Sequence, residues 1–355
     1  MKTGSRRIPS GGRCACIVLA IATWASTAPA AAQLVATEQR SGTTALLIAV
    51  SPVDENIVWV SGTAGTWLRT TDGGETWQTG RVPGADSLQF RDVHAIDADT
   101  AYLLSIGEGS ESRIYRTTDA GRTWRLQFTN PDPQGFYDCF DFWDERRGIV
   151  IGDVLDGAAA ILATTDGAAW ARLSRDVVPA APNGEGSFAA SGTCLVTLGD
   201  GLAWIVASNA ERGRVLHTAD YGRTWSAFPL PITTRAGSGP QSIAFRDAQH
   251  GMALGGGYAS EPDVVLAALS GDGGRTWSPR TRPPLPRGVW GGVYVPDSDP
   301  PTLVAVGPDG AVYTRDDGHT WTVIDRNDYW SVGFASPRAG WLVGRNGRIT
   351  KLSGF

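Results

Sequence analysis

Apolar residues in this chain come in short runs, with polar turn residues between them. The first set after residue 40 is Ala45-Leu46-Leu47-Ile48-Ala49-Val50, then Ile57-Val58-Trp59-Val60, then Thr66-Trp67-Leu68-Arg69. Gly, Asp, Ser and Pro punctuate the intervals. Runs this short predict strands, since a helix needs roughly ten or more residues of helical periodicity. Each set ends in a polar octapeptide closed by tryptophan, where a fourth run begins. The first octapeptide, Thr70-Thr71-Asp72-Gly73-Gly74-Glu75-Thr76-Trp77, returns at 117–124, 218–225, 270–277 and 314–321. A shortened copy from Thr164 to Trp170 lacks one residue between Asp166 and Trp170. A spacing of about 45 to 55 residues signals a repeat array or propeller. Four strands per repeat is the content of one propeller blade.

The octapeptide reads as a turn between two strands. Asp72, Asp119, Asp166, Asp220, Asp272 and Asp316 are placed to accept hydrogen bonds from backbone N–H groups just downstream. Gly74, Gly121, Gly222, Gly274 and Gly318 suit a position of positive φ or close backbone approach. The closing Trp77, Trp124, Trp170, Trp225, Trp277 and Trp321 each offer about 150–250 Å² to bury, enough to anchor one sheet against the next. A residue with the same local role in every repeat is structural, so these boxes are expected to be scaffold.

The pattern [Ser/Thr]-x-Asp-x-Gly-x-Thr-Trp resembles the Asp-box, or BNR repeat. Together with Gly340-Trp341-Leu342-Val343-Gly344-Arg345-Asn346-Gly347 it resembles the photosystem II stability/assembly-factor-like group of BNR propellers, within the sialidase superfamily, over nearly the whole chain after residue 32. That resemblance implies an exported seven-bladed propeller with a protein-binding or scaffold role. Strand arithmetic agrees on the fold. Six boxed repeats are followed by a seventh unit, Trp330 to Leu352, with three strands and no box. Leu34 to Arg40 is unassigned and can supply the missing strand, which would close the ring and remove its open edge. The expectation is all-β: seven four-stranded blades over 33–355, closed by the N-terminal strand.

Residues 1–32 read differently. Lys2, Arg6, Arg7 and Arg13 precede an apolar run from Cys14 to Ala25 that is too short to span a bilayer, and Ala30-Ala31-Ala32 forms a small-residue cleavage site. This is the pattern of a secretory signal peptide, so the protein is expected to be periplasmic or extracellular. Formal net charge is −5, which argues against nucleic acid or a polybasic membrane surface as partner. Cys139 and Cys194 remain after the leader. An oxidising compartment permits a bridge, yet their strand offsets differ by about one residue, which would point them to opposite faces. Bridge and free thiols are both open.

Inner strands and their loops surround the channel of a propeller, so polar residues there are the candidates for ligand contact. Two inner strands are expected to open alike, with Phe90-Arg91-Asp92 and Phe245-Arg246-Asp247. Blade three adds Asp138, Asp141 and Asp153, and Glu185 sits in the long connector 179–192 before blade four. Such a set of carboxylates with two arginines suits a polar ligand, a divalent cation or acid/base work. The plainer reading of each Phe-Arg-Asp is an inward Phe with a turn-capping Asp. Trp290 and Trp330 near inner strands offer stacking surfaces. Tyr258 and Tyr294 are available as nucleophiles, though no spacing singles them out. The four histidines show no metal-ligand spacing, and no metal or cofactor is implied.

Two functions follow. One is a scaffold that binds a protein or polysaccharide on an end face or in the channel, without chemistry of its own. The other is a sialidase-like or other glycoside hydrolase. A sialidase needs three converging arginines, a Tyr–Glu nucleophile pair and an Asp acid/base. The Arg-Ile-Pro motif common in such enzymes occurs here as Arg7-Ile8-Pro9, inside the leader. Xyloglucanase-like enzymes pair two propellers, and one is present here.

Overall fold

The computed structural model describes residues 1–5, 33–235, 237–257 and 264–355. Most of the expected leader, including Cys14, Cys16 and Arg7-Ile8-Pro9, lies outside the described residues, as does Tyr258. Gln33–Phe355 forms one compact unit. Its strands assemble into seven antiparallel sheets of four. The inner strands are Leu47–Pro52, Gln89–Ala95, Tyr137–Phe142, Leu195–Leu198, Ser238–Phe245, Gly291–Tyr294 and Ser331–Ser336. Each contacts the next and the last returns to the first. Regular helix is limited among the described residues to three single 3₁₀ turns. None of the described helices is long and apolar enough to cross a membrane.

Val35–Arg40 pairs antiparallel with Arg348–Ser353, from Val35 opposite Ser353 to Arg40 opposite Arg348. The ring is closed by its two chain ends, as the strand count required. Lys351 reinforces the seam by donating to the Gly73 carbonyl at 2.9 Å across into blade one. The first inner strand starts two residues later than the apolar run, at Leu47, with a register shift between Leu47 and Ala49.

Every box forms the turn between the third and fourth strands of its blade. In blade one, Asp72 Oδ1 accepts from the Thr76 N–H (2.9 Å) and the Thr70 hydroxyl (2.7 Å), and Oδ2 accepts from the Thr76 hydroxyl (2.6 Å). Asp119, Asp220, Asp272 and Asp316 repeat this set. In the shortened box Asp166 accepts instead from the N–H groups of Ala168 and Ala169. Gly74 sits at φ +85, where a side chain would be strained.

These bonds to the charged form hold Asp72 down to about 2, the Thr76 hydroxyl and N–H contributing most. A carboxylate lowered on folding stabilises the native state above its ordinary value near 3.8, and that contribution is lost as pH falls toward 2. Asp72→Ala is therefore expected to lower Tm at pH 7 and to converge on wild type as pH falls to about 2 and below. A Tm difference that stays constant through that range would remove the ionised carboxylate from the explanation.

The box tryptophans do less of the interblade anchoring than their size suggests. Trp225 is buried, but Trp77, Trp124, Trp170, Trp277 and Trp321 are only half-buried. The largest fully buried aromatics are on the second strands instead: Trp59, Trp204, Trp341 and Tyr102. Tyr102 donates to the Gly167 carbonyl at 2.8 Å, and Trp204 Nε1 to the Gly273 carbonyl at 2.9 Å, each in the following blade's box. The boxes receive these pegs. Their own tryptophans cover the outer edge.

Candidate ligand site at the plugged channel

The connector before blade four enters the space that the inner strands enclose. Ser187 N–H donates to Asp153 of blade three at 2.9 Å, and the Ala189 carbonyl accepts from Arg91 of blade two at 2.9 Å. Ala190 packs with Ile48, Trp290 and Trp330, from blades one, six and seven. Ser191 Oγ donates to the Trp290 carbonyl (2.7 Å), and Ser331 Oγ donates to the Ser191 carbonyl (2.8 Å). Thr193 Oγ1 bonds Ser242 of blade five (2.8 Å). The segment 187–193 thus touches all the other blades and leads directly into blade four. It is a plug. Gly192 lies at φ +77, and a Cβ there would stand 2.3 Å from Asp92 Oδ1, so the chain passes only because that residue is glycine.

Cys194, just after the plug, is bridged to Cys139, with Cα atoms 6.1 Å apart. The strand-offset argument for opposite faces fails for two reasons. A bulge between Tyr137 and Cys139 re-aims the cysteine side chain, and Cys194 precedes its strand rather than lying in it.

The plug divides the axial space into two mouths. One, of about 230 Å³, is lined by Arg91, Asp138, Asp153, Gln241, Trp290 and Trp330, with Ile106, Phe136 and plug residues 187–190. The other, of about 320 Å³, is bordered by Asp92, His94, Asp141 and Tyr294. The candidate residues are therefore not one cluster. Asp92 is buried and accepts from the N–H groups of Val93 and Phe140, at 2.8 Å each, tying blade two to blade three. Burial pushes its carboxyl up despite those bonds. Asp141 bonds His94 Nδ1 at 3.0 Å and accepts from Thr197 N–H at 2.8 Å.

Phe245-Arg246-Asp247 is not the counterpart of Phe90-Arg91-Asp92. Phe90 lies near the start of its strand, whereas Phe245 ends one, so the two arginines are at opposite ends of the channel wall. Asp247 caps a turn, accepting from the N–H groups of Gln249 (2.8 Å) and His250 (2.7 Å). Asp54, Asp97 and Asp144 do the same in their blades. Arg246 pairs with Asp317 and lies over the Tyr294 ring. Glu185 is committed to Arg214, through a 2.7 Å bond from Nη2 and a second contact from Nε, and fastens the middle of the connector to blade four.

At the smaller mouth, Arg91 stacks on the Trp330 ring at 4.8 Å and bonds Gln89 at 3.1 Å. Trp290 meets Trp330 edge-on, centroids 4.5 Å apart. Asp138 is 1 % exposed, and its Oδ2 has no hydrogen-bond partner among the described residues. Burial raises it well above the carboxylate range, Asp153 adds to the rise, and Arg91 opposes it. Burial raises Asp153 as well, against the Ser187 N–H bond. Gln241 is the lining residue that the pattern of apolar runs misses. The inner strand of blade five begins at Ser238 and bulges between Pro240 and Ser242, which brings Gln241 to the mouth. A polar residue beside an apolar inner run was the available signal.

A carboxyl raised on folding stabilises the native state most below its ordinary value, and the contribution falls as pH rises above about 4. Asp138→Asn, a neutral isostere of the protonated acid, is expected to raise Tm at pH 7 and leave it unchanged near pH 4. A lower Tm at pH 7 would mean that the carboxylate is paired in a way this geometry lacks.

No protein-family model matches the chain. It is 29% identical over 280 residues to a xyloglucanase of Paenibacillus sp, covering 65% of this chain and 26% of that enzyme. The chain spans about a quarter of the length of the curated relatives it matches. Among solved structures, it is similar to YCF48 bound to D1 peptide, with a TM-score of 0.62 and 18% identity over 90% of this chain and 96% of that one. It is similar to the GH74 xyloglucanase from Xanthomonas campestris, with a TM-score of 0.62 and 16% identity over 90% of this chain and 53% of that one. Both are seven-bladed propellers. What this chain shares with them is the seven-bladed, four-stranded propeller fold.

Proposed function

We propose that the protein is an exported scaffold that binds a macromolecular partner at the mouth lined by Arg91, Asp138 and Trp330, without chemistry of its own. The observation that carries this reading is the plug. It ends the axial space in a small pocket whose wall holds unpaired polar atoms, the form of a receptor rather than a passage. Two features support it. Glu185 and Arg246 are committed to ion pairs elsewhere, and Arg91 is the one arginine lining the pocket among the described residues, where a sialidase needs three. Asp138 and Asp153 both lean toward the neutral form, whereas a glycoside hydrolase needs one of its two carboxyls ionised as nucleophile or base. That YCF48 binds a D1 peptide is consistent with a propeller in a binding role. Export rests on the leader pattern of residues 1–32.

The second reading, a glycoside hydrolase acting through Asp138 and Asp153, is favoured by the sequence similarity to xyloglucanase. Xyloglucan and a panel of aryl glycosides separate the two. The scaffold reading expects no turnover above that of Asp153→Asn. Hydrolysis by the wild type that Asp153→Asn abolishes, with folding unchanged, would replace it.

A further inference from the structure

Three side chains at the smaller mouth hold buried polar atoms without a hydrogen-bond partner among the described residues: Asp138 Oδ2, Gln241 Oε1 and Trp330 Nε1. Their residues are 1 %, 4 % and 7 % exposed. A buried unpaired polar group is costly, so a ligand that pairs it gains selectivity as well as affinity. The set asks for both signs of hydrogen bond. Trp330 Nε1 can only donate, and the Gln241 carbonyl can only accept. Net charge on the ligand is disfavoured in both directions. Arg91 already donates to Gln89 and to the Ala189 carbonyl, and Asp138 and Asp153 lean toward the neutral form, so the wall offers a charged ligand no uncommitted counter-charge. Hydroxyl groups donate and accept without charge, which matches the wall. Between the polar atoms lie Phe136, Phe188, Trp290 and Trp330, surfaces suited to the C–H face of a ring. At about 230 Å³ the cavity falls below the roughly 300–1,000 Å³ of pockets for drug-sized ligands, so it admits one ring and not a chain.

We propose that this mouth binds a single neutral pyranose, presented as the terminal unit of a glycan. The inference rests on the reading of the mouth as the partner site, and it names the group that enters. A carboxylated sugar and an amino sugar would each bury a charge that the wall does not pair.

The test is calorimetric titration of the full protein with glucose, galactose and xylose, then with glucuronate and glucosamine as charged controls of the same shape. Saturation-transfer NMR on cellotetraose and maltotetraose follows. At least one neutral sugar is expected to bind about tenfold more tightly than either charged control, and transfer is expected to concentrate on one terminal ring of the bound tetraose. Gln241→Ala and Trp330→Phe, the second keeping the ring and removing the N–H donor, are each expected to weaken binding about tenfold at unchanged Tm. Preference for glucuronate or glucosamine, binding by none of the neutral sugars, or transfer spread along the tetraose overturns the inference while leaving the mouth as a site for another ligand. Sugar binding untouched by both variants overturns it as well, since the sugar then sits elsewhere. If both variants also leave capture of the partner from the exported fraction intact, the reading of the mouth as the partner site fails with it.

Discussion

Trp204→Ala is expected to be among the most destabilising single substitutions in this protein, at about 3–5 kcal/mol. The indole is fully buried, and its ring lies on Phe245 at 3.7 Å with the planes 8° apart. On its other side is His217, at 5.1 Å. Its Nε1 donates to the Gly273 carbonyl inside the box of blade five. Truncation leaves a cavity and unpairs that carbonyl, two costs that add. A Tm lowered by roughly 5–10 °C follows for a protein of this size. Trp204→Phe keeps most of the contact and loses the hydrogen bond, so its deficit isolates that bond at about 1 kcal/mol. Calorimetry of the three proteins checks both values. Equal losses in the two variants would place the whole effect in the hydrogen bond and none in packing.

Removing the Cys139–Cys194 bridge is expected to cost about 4 kcal/mol on chain-entropy grounds, since it closes a loop of 55 residues. That loop contains most of blade three and the whole plug. The bridge ties the end of the plug beside Asp138, so its loss acts on the site as well as on stability. Cys139→Ala/Cys194→Ala is expected to lower Tm and to weaken ligand binding at the smaller mouth together. Reductant under partly denaturing conditions should reproduce the Tm change in the wild type and have no effect on the double variant. An unchanged Tm in the double variant would show that the two sulfurs contribute nothing as a bridge.

The candidate site was only partly legible before folding. Arg91, Asp138, Trp290 and Trp330 stand out in the sequence as polar or aromatic residues at or near inner strands, Asp153 stands out in the stretch that follows one, and all five line one mouth. Asp92 and Asp141 stand out in the same way, yet they border the other mouth, because side chains alternate along a strand and bulges reset the alternation. Arg246 and Asp247 were paired with Arg91 and Asp92 by sequence likeness alone. Their strand positions differ, and that separates them by the height of the channel. The role of 187–193 had no local sign, since a Gly-, Ala- and Ser-rich connector looks the same whether it crosses the surface or fills an axis.

The repeated octapeptide, the apolar runs between its copies and the spare N-terminal run determined the number of blades, the strands in each and the way the ring closes. These follow from local chemistry: an Asp that satisfies nearby N–H groups, a glycine at positive φ, and a strand edge that needs a partner. What lies at the axis was decided only by the tertiary structure. Seven strands from separate parts of the chain meet there, and which polar atoms are left unpaired depends on how all seven and the plug pack together, a sum that no single stretch of sequence contains.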